Sequence, residues 1–119
     1  MGRVITVQGY KAFRGTLKIL HIGSEVEEVY GDWLYTPGTN QWHCGDKSYD
    51  ADRCMVTAVE QAKTITVNGY TIFTGTLRAT TPGILPEENY GSWLYDPKTN
   101  RWYSNSTPSY PADICKIVG

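Results

Sequence analysis

The chain has little of what most small enzymes and cofactor proteins depend on. Its 119 residues include only two His, at positions 21 and 43, and three Cys, at 44, 54 and 115. An odd, unevenly spaced cysteine set offers no disulfide framework, so free thiols are expected. A Cys44–Cys54 bridge would need an exported protein and is discounted. No apolar run reaches the ~18 residues of a membrane span, and Met1-Gly2-Arg3 lacks the apolar core of an export signal. A soluble, cytoplasmic protein with no membrane partner is the expectation. Neither sign of charge is in excess: 11 Lys and Arg stand against 12 Asp and Glu, for a net charge of −1. That balance excludes a broad basic footprint for nucleic acid, and equally an acidic mimic of DNA.

Aromatic residues and an internal repeat are what the sequence has. Sliding the chain by 60 residues superposes Ile5–Trp42 on Ile65–Trp102. Beyond Trp102 the register slips by one, so that Cys54 matches Cys115. Of the fifteen aromatics, fourteen fall into seven matched pairs, and Tyr103 is left over. A duplication of ~60 residues accounts for this. The copies are read as residues 1–61 and 62–119, with Glu60-Gln61-Ala62-Lys63 between them. So short a linker cannot separate two freely tumbling bodies.

The clearest stretch in each copy is an aromatic hairpin, Trp33-Leu34-Tyr35 to Trp42 and Trp93-Leu94-Tyr95 to Trp102. Pro37 and Pro97 preset φ at the start of its turn, and Asn40 and Asn100 tolerate the left-handed conformation that closes it. Ahead of it, Val4–Val7 and Thr64–Val67 are short β-branched runs followed by Gln8-Gly9 and Asn68-Gly69, a two-residue hairpin signal. A return strand from Tyr10 to about Leu20 carries Gly15 as a bulge or bend. Residues 21–31 and 81–91 read as loops, with one helical turn within reach of Ser24–Val29. A last strand follows at Arg53–Val59 or Ile114–Val118. Five short strands per copy give an all-β fold: two tandem SH3-like small β-barrel repeats, packed with pseudo-twofold symmetry and sharing some core. Trp33, Tyr35, Trp42, Cys54, Trp93, Tyr95, Trp102 and Cys115 are assigned to the core, because ~60 residues bury little surface without large side chains.

Two resemblances rest on these motifs. Leu94-Tyr95-Asp96-Pro97-Lys98-Thr99-Asn100-Arg101-Trp102 resembles the hairpin of a kelch repeat. The first copy has Thr36 in place of the Asp, the Gly-Gly pair of kelch repeats is missing, and two copies cannot close a propeller. The likeness is therefore one of turn chemistry. Phe13-Arg14-Gly15-Thr16-Leu17 and Phe73-Thr74-Gly75-Thr76-Leu77, with the following Gly-x-Trp-Leu-Tyr, Trp and late Cys, resemble small uncharacterised proteins of gut Firmicutes and their mobile elements. That resemblance implies a phage or mobile-element setting, in which short proteins without catalytic motifs act as inhibitors of host defence, anti-CRISPR proteins among them.

Candidate chemistry is thin. His21 and His43 have Thr81 and Tyr103 as counterparts, which excludes a symmetric pair of His-dependent sites. An asymmetric cluster of His43, Cys44 and Asp46 is drawn poorly, since adjacent strand residues point to opposite faces. Glu27-Glu28 and Glu87-Glu88 recur, but sequence neighbours rarely converge on one substrate atom. No catalytic residue, metal or cofactor is assigned. The expected function is non-enzymatic protein binding, with His21, Glu27, Glu28, His43, Asp46, Lys47, Glu87, Glu88 and Tyr103 as contact candidates. The alternative is nucleic-acid binding through Tyr10, Lys11, Arg14 and Lys18, with Phe13 beside them. Carbohydrate binding on the Trp residues comes third.

Overall fold

Each copy begins with a strand too short to stand alone and a long one that supports it. The computed structural model describes residues 2–23, 25–106 and 108–119. In the first copy β1 (Ile5–Val7) turns tightly into β2 (Tyr10–Leu20), and β3 (Val26–Thr36), β4 (Gln41–Cys44) and β5 (Lys47–Asp50) continue as an antiparallel meander. A single 3-10 turn at Ala51–Arg53 then delivers β6 (Cys54–Glu60) to the edge of β2 that β1 leaves free. The second copy repeats the plan with β7 (Thr64–Val67), β8 (Tyr70–Ala79), β9 (Glu87–Asp96), β10 (Arg101–Ser104) and β11 (Tyr110–Pro111). A 3-10 turn at Ala112–Ile114 leads to β12 (Cys115–Ile117), which pairs with β8. Neither sheet closes on itself, and among the described residues there is no α-helix.

Turn chemistry sets the registers. Gln8-Gly9 and Asn68-Gly69 all have positive φ, as a two-residue hairpin matched to strand twist requires. Asn40 and Asn100 close the aromatic hairpins at φ 55° and 54°. Each then ties its hairpin to the 3-10 turn. The Tyr35 hydroxyl donates to Asn40 Oδ1 (2.7 Å), Asn40 Nδ2 donates to Asp52 Oδ1 (3.2 Å), and Ala51 N–H donates to the Asn40 carbonyl (3.0 Å). Tyr95, Asn100, Asp113 and Ala112 repeat the set at 2.8, 3.1 and 2.9 Å.

Residues 21–31 and 81–91, expected to be loops, are so only in their first parts, and strand takes up the rest. β3 starts at Val26 and β9 at Glu87, so only a short tip separates each from the strand before it. The apolar alternation of β2 explains the correction: Leu17 and Ile19 need a neighbouring strand, and Val29 and Glu27 supply it in register. The Trp33 and Trp93 indoles each donate to a carbonyl four residues back, at Val29 and Asn89 (3.3 Å both), which holds those segments extended. The suggested helical turn is likewise strand from Val26 onward, and Ser24 lies outside the described residues. The region between the aromatic hairpin and the last strand forms the tight β4–β5 hairpin in the first copy, and among the described residues each copy carries six strands rather than five.

Among the described residues three apolar clusters lie along a molecule of 61 × 29 × 22 Å. One belongs to the first copy, with Phe13, Leu17, Ile19, Trp33 and Trp42, and one to the second, with Phe73, Leu77, Trp93 and Trp102. The third is common to both and draws on equivalent positions of the two copies: Ile5 and Ile65, Val7 and Val67, Ala12 and Ile72, and Leu34 and Leu94. Tyr10 stacks on its own counterpart Tyr70, with ring centroids 5.7 Å apart.

Candidate functional site

Equivalent positions that differ between the copies mark where surfaces have specialised. The first such surface is the outer face of the β2–β3 hairpin. Directly opposed residues on neighbouring strands share a face, so Met55, Lys18 and Glu28 form one row across β6, β2 and β3, and Leu20 and Val26 form the next. Leu20, Val26 and Met55 are each at least half exposed, and with Lys18, Asp52 and Arg53 they line one shallow depression of about 330 Å³. Ile22, at the tip, is 82% exposed. In the second copy the same row is Lys116, Arg78 and Glu88, with an Arg78–Glu88 ion pair at 2.7 Å. Thr80 and Pro86 stand there in place of Leu20 and Val26. Three exposed apolar side chains of the first copy are thus lysine, threonine and proline in the second, whose own exposed apolar residues, Ile84 and Leu85, lie at the hairpin tip.

Three of the contact candidates lie at this hairpin. Glu28 sits on the apolar face opposite Lys18. His21 and Glu27 occupy the reverse side, joined at 2.8 Å, with the His21 ring edge-on to Tyr49. The other candidates are dispersed. Glu87 and Glu88 lie on β9 of the second copy, Asp46 in the exposed β4–β5 turn and Lys47 at the start of β5. Tyr103 hydrogen-bonds Thr99 (3.0 Å), with either hydroxyl as donor. Leu20, Val26 and Met55 were missed by the sequence reading. Their signal was there: apolar residues in one copy, hydroxyl, proline and lysine in the other.

Several residues of the basic strand are engaged within the fold. Phe13 is buried and has no free ring face, and Tyr10 is held against Tyr70. Arg14 is bound by both oxygens of Asp32, at 2.7 and 3.2 Å. Lys11 lies over the Tyr35 ring, 5.6 Å from its centroid. The large aromatic platform is also internal, since Trp33, Trp42, Trp93 and Trp102 are all buried. Tyr35, Tyr95, Cys54 and Cys115 are half-buried beside them. Burial raises both of those thiol pKa values, and each thiol donates to a carbonyl four residues back, at Asp50 and Pro111.

His43 and Cys44 diverge. His43 meets the Thr36 hydroxyl at 3.0 Å in a groove between the copies, and partial burial lowers its pKa. Cys44 packs inward over Gly31, and burial raises its thiol. Among the described residues no group of three or more His, Cys, Asp or Glu could hold a metal ion, and no helix is long and apolar enough to cross a membrane.

The copies also differ at their junction. Asn105, in the longer β10–β11 connection, bonds the β1–β2 turn of the first copy. Its Oδ1 accepts from Gln8 N–H (2.9 Å), its Nδ2 donates to the Thr6 carbonyl (2.8 Å), and Gln8 Nε2 donates to the Ser104 carbonyl (2.6 Å). The β4–β5 hairpin turns in only two residues, Gly45 and Asp46. The groove holding His43, Asn68, Tyr70 and Lys98 stays open on that side. No family model, curated protein or solved structure matches this chain.

Proposed function

We propose that the protein is a non-enzymatic binding module, built from two SH3-like units related by a pseudo-twofold axis, which engages a protein partner. In each copy the meander, the 3-10 turn and a last strand returning to the first long strand support the SH3-like reading. The stacking of Tyr10 on Tyr70, and a common cluster drawn from equivalent positions of both copies, support the pseudo-symmetry. The partner surface is the outer face of the first copy's long hairpin. The observation that carries this is the exposed group Leu20, Val26 and Met55, rimmed by Lys18, Glu28, Asp52 and Arg53 and absent from the second copy. An apolar centre with a charged rim is the anatomy of a protein-binding patch. On the resemblance to mobile-element proteins alone, the partner belongs to a host defence system and is inhibited by occlusion. Three free thiols accord with a cytoplasmic setting.

The test is affinity capture from a bacterial lysate with and without nuclease, using the wild type and a Leu20→Thr, Met55→Lys variant. Those changes install the second copy's residues at exposed positions, so the thermal midpoint stays within a few degrees. A stoichiometric protein that survives nuclease and binds the variant at least roughly tenfold more weakly supports the reading. Equal capture by both forms, or recovery of nucleic acid alone, overturns it.

A further inference from the structure

A second groove lies where the first copy's amino-terminal strand crosses the second copy's sheet. It has a volume of about 610 Å³ and is bounded by residues 2–6, the linker residues 61–63, and Thr74, Tyr90 and Ser92. Its chemistry is one-sided. Arg3 and Lys63 bring two cations, Thr6, Thr74 and Ser92 bring hydroxyls, and among the described residues no carboxylate lines it. Among the described residues neither Arg3 nor Lys63 has an ion-pair partner. Lys63 lies beside β8, where its carbonyl accepts from Thr74 N–H at 3.2 Å.

The duplication shows why this place is open. The first copy's equivalents of Thr74 and Ser92 are Arg14 and Asp32, whose side chains pair with each other. Its equivalent of Tyr90 is Tyr30, whose hydroxyl donates to Glu60 Oε1 at 2.7 Å. In the second copy two short hydroxyl side chains, 3.1 Å apart, replace that bulky ion pair. Tyr90, paired in the ladder with Thr76, stands 76% exposed. One copy has filled the position with a neutral pair, and the other has emptied it beside two unpaired cations.

We infer that this groove binds a small phosphorylated ligand that carries a planar ring, a nucleotide being the chemical type. Arg3 and Lys63 take the phosphate, because a guanidinium fork and an ammonium together match an oxyanion with several oxygens. Thr74 and Ser92 each keep bonding capacity beyond their mutual contact and donate to the same group. Tyr90 offers a ring face for stacking, and the volume lies within the usual span of small-molecule sites. This site is separate from the apolar hairpin face and does not depend on it.

The experiment is titration of the intact, isotope-labelled chain with AMP, with inorganic phosphate and with adenosine, followed by amide chemical shifts. Saturable shifts confined to residues 3–6, 63, 74 and 90–92 are expected with AMP, and weaker ones at the same amides with phosphate. Thr74→Arg combined with Ser92→Asp rebuilds the first copy's ion pair in the groove and abolishes both responses. Tyr90→Ala, an exposed change that leaves the fold intact, weakens AMP roughly tenfold and leaves phosphate unchanged. Overturning results are the absence of saturation at millimolar ligand, shifts spread over every Lys and Arg, adenosine binding as well as AMP, or AMP binding that survives both variants.

Discussion

At the residue scale the surroundings of a position decide what it tolerates, and two glycines of the sheets show it. β6 runs so close to β2 at the bulge after Thr16 that a Cβ on Gly15 would overlap the Ala58 carbonyl. A Cβ on Gly91, which pairs with Gly75 on the neighbouring strand, would meet nothing within 4 Å. Gly15→Ala must push backbone against backbone and is expected to cost about 1–3 kcal/mol. Gly91→Ala, by contrast, restricts the unfolded chain and is expected to be neutral or stabilising by up to about 1 kcal/mol. Urea unfolding of both variants checks the contrast. Equal midpoints would show that β6 does not approach β2 as closely as described. Arg14 and Thr74 make the same comparison for charge: one position is closed by an ion pair, while the other is left open with cations nearby.

At the scale of elements, what could be read from the chain was what local chemistry dictates. Gln8-Gly9, Asn68-Gly69, Asn40 and Asn100 announced their turns because positive φ restricts which residues fit. β3 and β9 were half missed because their outer ends, Val26–Tyr30 and Glu87–Tyr90, each carry a pair of adjacent glutamates and bury no residue fully. They are strands because β2 and β8 need a partner, which is a tertiary cause invisible to alternation. The apolar hairpin face was illegible for a related reason. Met55 joins Lys18 and Leu20 only once β6 returns to β2, across more than thirty residues of chain. The Tyr–Asn–Asp network was half legible, since the asparagine was expected but its reach to the 3-10 turn was not. Asn100 therefore does two jobs that substitution can separate. Asn100→Gly keeps the left-handed backbone and loses the Tyr95 and Asp113 bonds, costing about 1 kcal/mol. Asn100→Ala loses the bonds and also strains the turn, so it should cost about 1 kcal/mol more. Thermal unfolding of the pair is the check, and equal losses would mean that the turn conformation contributes nothing.

At the scale of the molecule, the shared cluster makes the duplication more than a tandem. Ile5, Val7, Ala12 and Leu34 from one copy and Ile65, Val67, Ile72 and Leu94 from the other are buried against each other, with none of them free to serve only its own sheet. Asn105 adds polar bonds across the same junction. A unit of ~60 residues is marginal by itself, so removing the common cluster would leave each half with a small core of a few large side chains. Stability of the two sheets is therefore coupled. Leu34, 2% exposed, belongs to β3 of the first copy but touches the common cluster. Leu34→Ala is expected to cost about 2–5 kcal/mol, and the loss should be felt equally by both sheets. The tryptophans provide the readout, with Trp33 and Trp42 in one outer core and Trp93 and Trp102 in the other. Replacing Trp42 or Trp102 by Phe, each in the wild-type and Leu34→Ala backgrounds, weights the signal toward one sheet at a time. Coincident transitions, both displaced by the same amount, are the expected result for one cooperative body. If the second copy's signal keeps its midpoint while the first copy's falls, the halves fold independently and the shared cluster is mere contact.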